Sequence, residues 1–193
     1  MLVVLNITAC SKQEEDTQPV NQYGQITMVQ TASKSSTTNY THFRVFTFDP
    51  GDEISVAYGD GTIEKVTAID NYAGLGYFDL EHSYPDNANY TVMIQGEIQS
   101  LYCNFLCPLI ELDISGCPAL EILYCENNQL TSLDVSKNTK LYFLSCSHNL
   151  FTVEEMDKIY RDLPVVENGT LWCDPLGNPS IAEQKGWYVH SYK

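Results

Sequence analysis

Cysteine is the residue type in this 193-residue chain that most invites a chemical interpretation, because the sequence contains seven of them. The four between residues 103 and 125 are separated by three, nine and seven residues, and no common zinc site uses those intervals. Cys103, Cys125 and Cys146 recur in one sequence frame, which explains them without a metal. Disulfides are the alternative for an exported protein, but stacked parallel strands hold their Cβ vectors side by side, which favours free thiols. We therefore predict neither a metal site nor a cofactor.

Cys146 and His148 have the residue types of a nucleophile and its base. The frame places Cys146 inward and His148 in the turn that follows, so we expect the two side chains to diverge. The other histidines, at positions 42, 82 and 190, lie in unrelated contexts, and no acidic pair stands out from a generally acidic sequence. We find no convincing catalytic set and predict that the protein is not an enzyme.

Asp49, Asp52 and Asp60 form an acidic cluster that could suggest a calcium site, since Ca²⁺ prefers converging carboxylate and carbonyl oxygens. The segments DPGDE and YGDG do not follow the EF-hand pattern, however. Aspartate is also common in turns at strand ends, where its carboxylate accepts hydrogen bonds from nearby backbone N–H groups. We favour this second interpretation.

The charge of the chain is strongly unbalanced, with 25 acidic and 10 basic residues and a formal net charge of −15. Such a surface repels phosphate backbones, so we predict no nucleic-acid partner. The sequence has no apolar run of 18 residues that would predict a membrane span. A hydrophobic content of 44% is sufficient for a packed core.

The N-terminal stretch MLVVLNITACSKQEED has a short apolar run that suits a signal peptide better than a membrane span. Its Ile7-Thr8-Ala9-Cys10 resembles the lipobox of bacterial lipoproteins, in which the signal is cut before a cysteine that becomes lipid-modified. The acidic residues behind Cys10 resemble the export signal of lipoproteins on the outer surface of Gram-negative anaerobes. The resemblance implies a lipid anchor on Cys10 and an outer-membrane, cell-surface location. A buried N-terminal strand is the alternative, but the hydrophilic composition up to residue 24 suits a tether.

Strand-like segments with period-2 alternation begin after residue 24. They are Ile26–Ala32, His42–Phe48, Glu53–Tyr58 and Tyr90–Gly96. The segments EISVAYGDGT and LEHSYPDNANYTVMIQG, with their spacing, resemble a PKD-type (polycystic kidney disease) domain, although Tyr58 stands where Trp or Phe is usual. The resemblance implies an extracellular, antiparallel PKD/Ig-like β-sandwich over residues 25–97.

A second pattern begins at residue 98, where the sequence repeats itself with a period of about 21 residues. The frame L-x-x-L-x-C-x-x-N-x-L starts at Leu120 and returns at Leu141 with Phe151 in the last position, and a partial copy starts at Ile98. This period and pattern resemble leucine-rich repeats, which implies a short solenoid with a parallel β-sheet over residues 98–193. In that arrangement Leu and Cys point inward, and the asparagines bond backbone groups where the chain leaves each strand.

The repeat is interrupted by TVEEMDKIYRDL, whose apolar residues follow helical spacing. Thr152 is positioned to cap the helix with Glu155 at the third position, and Pro164 is expected to end it. We expect this helix and the tail behind it to cap the open end of the repeats.

The residues between the inward Leu and Cys positions are expected to face outward on the parallel sheet. Tyr102, Tyr124 and Trp172 should then share one row, with Ile122 beside Phe143 and with Glu126 nearby. Exposed aromatic side chains among polar ones are well suited to binding a ligand. The alternatives are that β-propensity alone explains the aromatic residues or that this face packs on the sandwich.

Three functions are compatible with this sequence. The leading hypothesis is a non-enzymatic, lipid-anchored surface protein whose outward sheet face binds an extracellular protein. The second is a carbohydrate-binding accessory lipoprotein of a glycan-uptake system, and the third is an enzyme subunit or a cryptic hydrolase.

Overall fold

A computed structural model describes residues 24–31, 39–71, 74–86, 88–104 and 108–191 of the chain. These ranges are mostly β-structure with two helices. The strands are β1 (Gly24–Gln30), β2 (Asn39–Thr47), β3 (Glu53–Ala57), β4 (Ile63–Thr67), β5 (Ile69–Asp70), β6 (Gly76–Tyr84), β7 (Tyr90–Gly96), β8 (Ile98–Tyr102), β9 (Leu109–Gly116), β10 (Ile122–Tyr124), β11 (Phe143–Ser145), β12 (Gly169–Cys173) and β13 (Trp187–Ser191). The helices are α1 (Val153–Asp162) and α2 (Ser180–Glu183). Neither helix is long and apolar enough to cross a membrane.

Alternation of apolar and polar residues produces the strands of the N-terminal half, because a strand turns successive side chains to opposite faces. In β1 the side chains of Ile26 and Met28 are buried, and in β3 those of Ile54 and Val56 are buried, while their neighbours are more exposed. The four strand-like segments predicted from the sequence overlap β1, β2, β3 and β7, so these four predictions are confirmed.

The strands form two sheets whose inward side chains meet in one continuous core. One sheet has five strands in the order β4-β3-β7-β1-β9. The other has eight strands in the order β13-β12-β11-β10-β8-β2-β6-β5. The eight-stranded sheet is mixed, because β8, β10, β11, β12 and β13 run parallel to each other whereas β2, β6 and β5 pair antiparallel.

The prediction of two modules, a sandwich followed by a leucine-rich-repeat solenoid, is wrong. The expected boundary at residues 97 and 98 falls between β7 and β8, and both sheets continue across it. β8 pairs with β2 in the eight-stranded sheet, and β9 pairs with β1 in the five-stranded sheet. The parallel strands therefore extend a two-sheet β-structure. Backbone hydrogen bonds from β2 pair the edge of β8, which a free-standing solenoid would leave unpaired.

The 21-residue sequence period nevertheless sets the register of two parallel strands. Ile122 pairs with Phe143 and Leu123 with Leu144, and each pair is 21 residues apart in the chain. The inward positions in or directly after β8, β10, β11 and β12 are fully or almost fully buried: Leu101, Cys103, Leu123, Cys125, Leu144, Cys146, Leu171 and Cys173. The predicted inward orientation of the leucine and cysteine residues is confirmed for these positions.

Asparagine side chains hold the chain where it leaves β10 and β11. The Asn128 amide donates to the carbonyls of Cys103 and Cys125 at 3.0 Å each, and its oxygen accepts from the Leu109 N–H at 2.8 Å. Asn149 makes the equivalent set with Cys125, Cys146 and Leu130. These bonds satisfy backbone groups that the short strands leave unpaired, as the sequence predicted.

Helix α1 begins as its sequence predicts. The Thr152 hydroxyl accepts a hydrogen bond from the Glu155 N–H at 3.2 Å, and the helix ends before Pro164. Its apolar side chains Met156, Ile159 and Tyr160 are buried. The indole N–H of Trp187, on β13, donates a hydrogen bond of 2.8 Å to the carbonyl of Pro164, just after the helix.

The Gly59-Asp60-Gly61 turn confirms the turn interpretation of the acidic cluster. Both glycines have positive φ, and the Asp60 carboxylate accepts from the Thr62 N–H at 2.9 Å and from His82 at 2.8 Å. Asp52 likewise accepts from the Asp49 N–H at 3.0 Å. The bond from the Thr62 N–H to Asp60 is the Asx-type contact of a turn at a strand end.

We predict that Asn128→Ala destabilises the protein by about 2–4 kcal/mol, because three hydrogen bonds are lost and buried backbone groups are left unpaired. Urea unfolding followed by circular dichroism measures the change. Asn89→Ala is the control, since Asn89 is exposed, and it should change stability by no more than about 0.5 kcal/mol. Equal effects of the two substitutions would contradict the role assigned to Asn128.

Candidate aromatic recognition face

The outer face of the eight-stranded sheet, which turns away from the core, is the candidate functional site. Strand pairing arranges its side chains in two rows that cross seven of the eight strands, from β6 to β13. The first row is Tyr77, Phe46, Ser100, Ile122, Phe143, Thr170 and Tyr188. The second row is Asp79, Arg44, Tyr102, Tyr124, Ser145, Trp172 and His190.

Five aromatic rings from five adjacent strands form a continuous series across these rows, which we call the aromatic ladder: Tyr77, Phe46, Tyr102, Tyr124 and Phe143. Successive ring centroids are 5.0, 5.3, 4.4 and 4.6 Å apart. These distances are those of favourable aromatic pairs, each of which contributes about 0.5–1.5 kcal/mol beyond the area that it buries. All five residues remain partly exposed.

Neighbouring rings of the ladder are in contact, and the angle between their planes varies from 16° to 53°. Tyr102 and Tyr124 are nearly parallel, with an interplanar angle of 16°. Burial raises the pKa of both phenols, and the neighbouring Tyr142 raises them further. The Tyr102 and Tyr124 phenols therefore stay protonated, and each ring covers one face of the other.

Trp172 does not continue this series. Ser145 lies between Tyr124 and Trp172 in the second row, and Trp172 stacks instead on His190, with centroids 4.5 Å apart. The Phe143 ring leans towards Tyr124, beside Ser145, and Ser145 is almost fully buried. A small residue at position 145 leaves room for this ring. Tyr102, Tyr124 and Trp172 thus share one row, as predicted, but only the first two are in contact.

Of the remaining predicted site residues, Ile122 and Phe143 are neighbours in the first row, as expected. Glu126 lies just beyond Tyr124, at the end of β10, and accepts a hydrogen bond from Asn104 at 2.7 Å. Cys10, the predicted lipidation site, lies outside the described residues. That the outward residues bind a ligand stays a prediction.

The ladder includes two residues that sequence reasoning missed, Phe46 and Tyr77. Both precede residue 97, and the wrong two-module prediction assigned them to another domain. Alternation in the segment HFRVFTF could have shown that Arg44 and Phe46 share one face of β2, but it could not show that β8 is their neighbour.

A cluster of charged side chains flanks the ladder on β2 and β6. Asp79 is hydrogen-bonded to His42 and forms an ion pair with Arg44 at 3.3 Å. Hydrogen bonds from His42 and Tyr77 and the charge of Arg44 lower the Asp79 pKa, although burial opposes them. The Asp79 carboxylate therefore stays ionised on this side of the face.

The cysteines behind the ladder do not form a reactive site. Cys103, Cys117, Cys125, Cys146 and Cys173 are free thiols and all are buried. Burial raises the pKa of each, to about 12 for Cys117. The expected divergence of Cys146 and His148 is confirmed, since His148 is exposed in a turn with φ 56°. No group of three or more His, Cys, Asp or Glu side chains within the described ranges could hold a metal ion.

Comparisons with protein-family models, curated proteins and solved structures give no match to this chain. The resemblances to a PKD-type domain and to bacterial surface lipoproteins stay predictions from the sequence motifs.

We predict that Cys125 and Cys146 of the folded protein resist iodoacetamide at pH 8.5, because a raised pKa leaves almost no thiolate and the thiols are shielded from solvent. Mass spectrometry of digested samples measures labelling at each cysteine. Protein unfolded in urea is the control and should be labelled fully at both positions. Labelling of folded Cys125 at the rate of an unfolded thiol would contradict this description of the interior.

Proposed function

We propose that this chain is a non-enzymatic recognition protein that binds an extracellular protein through the aromatic ladder. The observation that carries the proposal is the ladder itself, a band of partly exposed aromatic rings that crosses five strands. Aromatic residues are enriched among the side chains that contribute most to protein–protein binding. Exposed Tyr142 and Tyr188 extend the aromatic character of this region.

A protein fits the ladder better than a glycan does. A sugar stacks on the open face of an aromatic ring, and the stacking of Tyr102 on Tyr124 covers one face of each of these two rings. Ring edges and tyrosine hydroxyl groups are instead suited to the packed, partly polar contacts of a protein interface. Binding of a glycan, the alternative function, is therefore an outcome for the experiment to decide.

The charge of the chain defines the partner further. A formal net charge of −15 repels acidic surfaces and attracts basic ones. The proposal also includes a lipid anchor at Cys10 and a location on the outer surface of the outer membrane, both supported only by the N-terminal sequence motif.

We predict that Tyr124→Ala weakens binding of a protein partner by about tenfold or more, because the Tyr124 ring contacts two other rings of the ladder, Tyr102 and Phe143. Wild-type protein and variants are applied to an array of purified surface and extracellular proteins and to a glycan array. Dissociation constants for the strongest hit are then measured by calorimetry.

Ile63→Ser is the matched control, since Ile63 is an apolar side chain that is 69% exposed on β4 of the other sheet. It should leave affinity within twofold of wild type. Equal affinity of wild type and Tyr124→Ala for every protein hit would overturn the proposal. Glycan binding that depends on Tyr124, with no protein hit, would replace it with the carbohydrate-binding alternative.

A further inference from the structure

The last strand of the eight-stranded sheet has a free edge. β13 pairs with β12 on one side, and no strand within the described residues pairs with its other side. The Gly169 N–H donates to the Gly186 carbonyl at 3.0 Å, so residues of even number along β13 turn their backbone groups towards β12. Successive residues of a strand turn these groups to opposite sides. The N–H and C=O groups of Trp187, Val189 and Ser191 therefore face away from the sheet.

This edge lacks the features that protect the other edges of the two sheets. In the part of the chain that the structure describes, β4 carries the charged residues Glu64 and Lys65, and β5 has two residues. The pairing of β9 with β1 is interrupted by register shifts. Charges, short length and bulges are the devices that keep edge strands from pairing with other chains. β13 has five residues in unbroken register with β12 and contains neither lysine nor proline, so it is the edge best suited to receive another strand.

A groove of about 470 Å³ lies beside this edge. It is lined by residues 186–190, together with Glu167 and Glu183, and no residue of β12 lines it. Each face of a strand shows only alternate side chains, so a space lined by five consecutive residues of one strand lies at its edge. The groove thus gives an incoming chain access to the backbone groups that face away from the sheet. Tyr188, which is 59% exposed, adds an aromatic side chain to the groove.

The groove is acidic at the end where β13 begins. The Glu183 carbonyl accepts from the Gly186 N–H at 3.0 Å, and Glu167 lies two residues before Gly169, which bonds the same Gly186. Both glutamate side chains are exposed. Of the residues that line the groove, only His190 is of a type that can carry a positive charge. A chain that enters the groove therefore meets two carboxylates close to the start of the free edge.

This charge favours a basic partner. Two exposed carboxylates attract lysine and arginine side chains and repel acidic ones. Lys185, the residue before Gly186, does not offset them, because its ammonium group donates to two backbone carbonyls at the end of α1. Pairing of two copies of this chain through β13 is opposed by the formal net charge of −15 on each copy.

We infer that the free edge of β13 receives an extended, basic segment of a partner protein as an added strand. Backbone hydrogen bonds to Trp187, Val189 and Ser191 hold the segment, and a lysine or arginine side chain pairs with Glu167 or Glu183. The inference goes beyond the proposed function, since it concerns another surface and needs no binding at the aromatic ladder.

The probe for this edge is the acetylated and amidated hexapeptide Lys-Val-Thr-Val-Thr-Lys. It has a lysine at each end, so that either strand direction brings one lysine to the glutamates. The peptide is titrated into the ¹⁵N-labelled full chain, and amide hydrogen exchange is measured at each residue. With the peptide at about ten times its dissociation constant, exchange at Val189 should slow by about tenfold. The Tyr188 N–H already faces β12 and should change much less.

A peptide of the same sequence, N-methylated at its central residues, is the control for backbone pairing. It keeps the charge and the side chains but loses the N–H donors, and it should not bind. Val189→Pro tests the same bonds from the side of the protein. Proline removes an N–H that faces away from β12, so the sheet should keep its circular dichroism spectrum while peptide binding is lost.

Glu167→Gln combined with Glu183→Gln tests the charge independently of the proline substitution. This double variant should weaken binding of the hexapeptide by about fivefold, because both carboxylates near its lysine are neutralised. Glu53→Gln combined with Glu97→Gln is the matched control, since both residues are exposed, Glu53 begins β3 and Glu97 follows β7 in the other sheet. It removes the same charge and should leave the affinity within twofold of wild type.

Unchanged exchange at Val189 with saturating peptide would overturn the inference. Equal binding of the N-methylated peptide, or equal weakening by the two double glutamate variants, would also overturn it. Sedimentation equilibrium gives a further outcome against it, a dimer of this chain that Val189→Pro dissociates, because a second copy would then occupy the edge.

Discussion

The antiparallel pairing of β2 with β8 joins the N-terminal strands to the parallel ones. Arg44 pairs with Tyr102, Val45 with Leu101 and Phe46 with Ser100. Without this pairing, the outward rows of side chains would end at β8, and Phe46 and Tyr77 would belong to a separate surface. With it, one sheet carries aromatic residues from both halves of the chain on one face and a continuous apolar core on the other.

The two faces of the parallel strands are linked by the alternation of side chains. A strand that turns Cys125 into the core must turn Tyr124 outward. The small, apolar cysteine side chain suits the inward position, and its raised pKa keeps the interior free of charge. The core and the ladder therefore follow from one register.

Local features of this fold could be predicted from the sequence, because they depend on residues close together in the chain. Period-2 alternation predicted β1, β2, β3 and β7, the 21-residue frame predicted that Ile122 neighbours Phe143, and Thr152 predicted the start of α1. The pairing that joins the N-terminal strands to the parallel strands could not be predicted, because no sequence pattern in either half indicates that Arg44 lies opposite Tyr102. The spacing also changes from 21 to 27 residues between Ser145 and Trp172, where α1 is inserted, and Ser145 separates Trp172 from Tyr124 in the row.

The central claim is that the aromatic ladder crosses the β2–β8 junction, and a double-mutant cycle between Phe46 and Tyr102 tests it most directly. Phe46→Leu, Tyr102→Leu and the double variant are unfolded in urea, and their free energies of unfolding are compared with that of wild type. Ring centroids 5.3 Å apart predict a coupling energy of about 0.5–1.5 kcal/mol. Additive effects, with no coupling beyond experimental error, would mean that the two rings do not meet and that the continuous face does not exist.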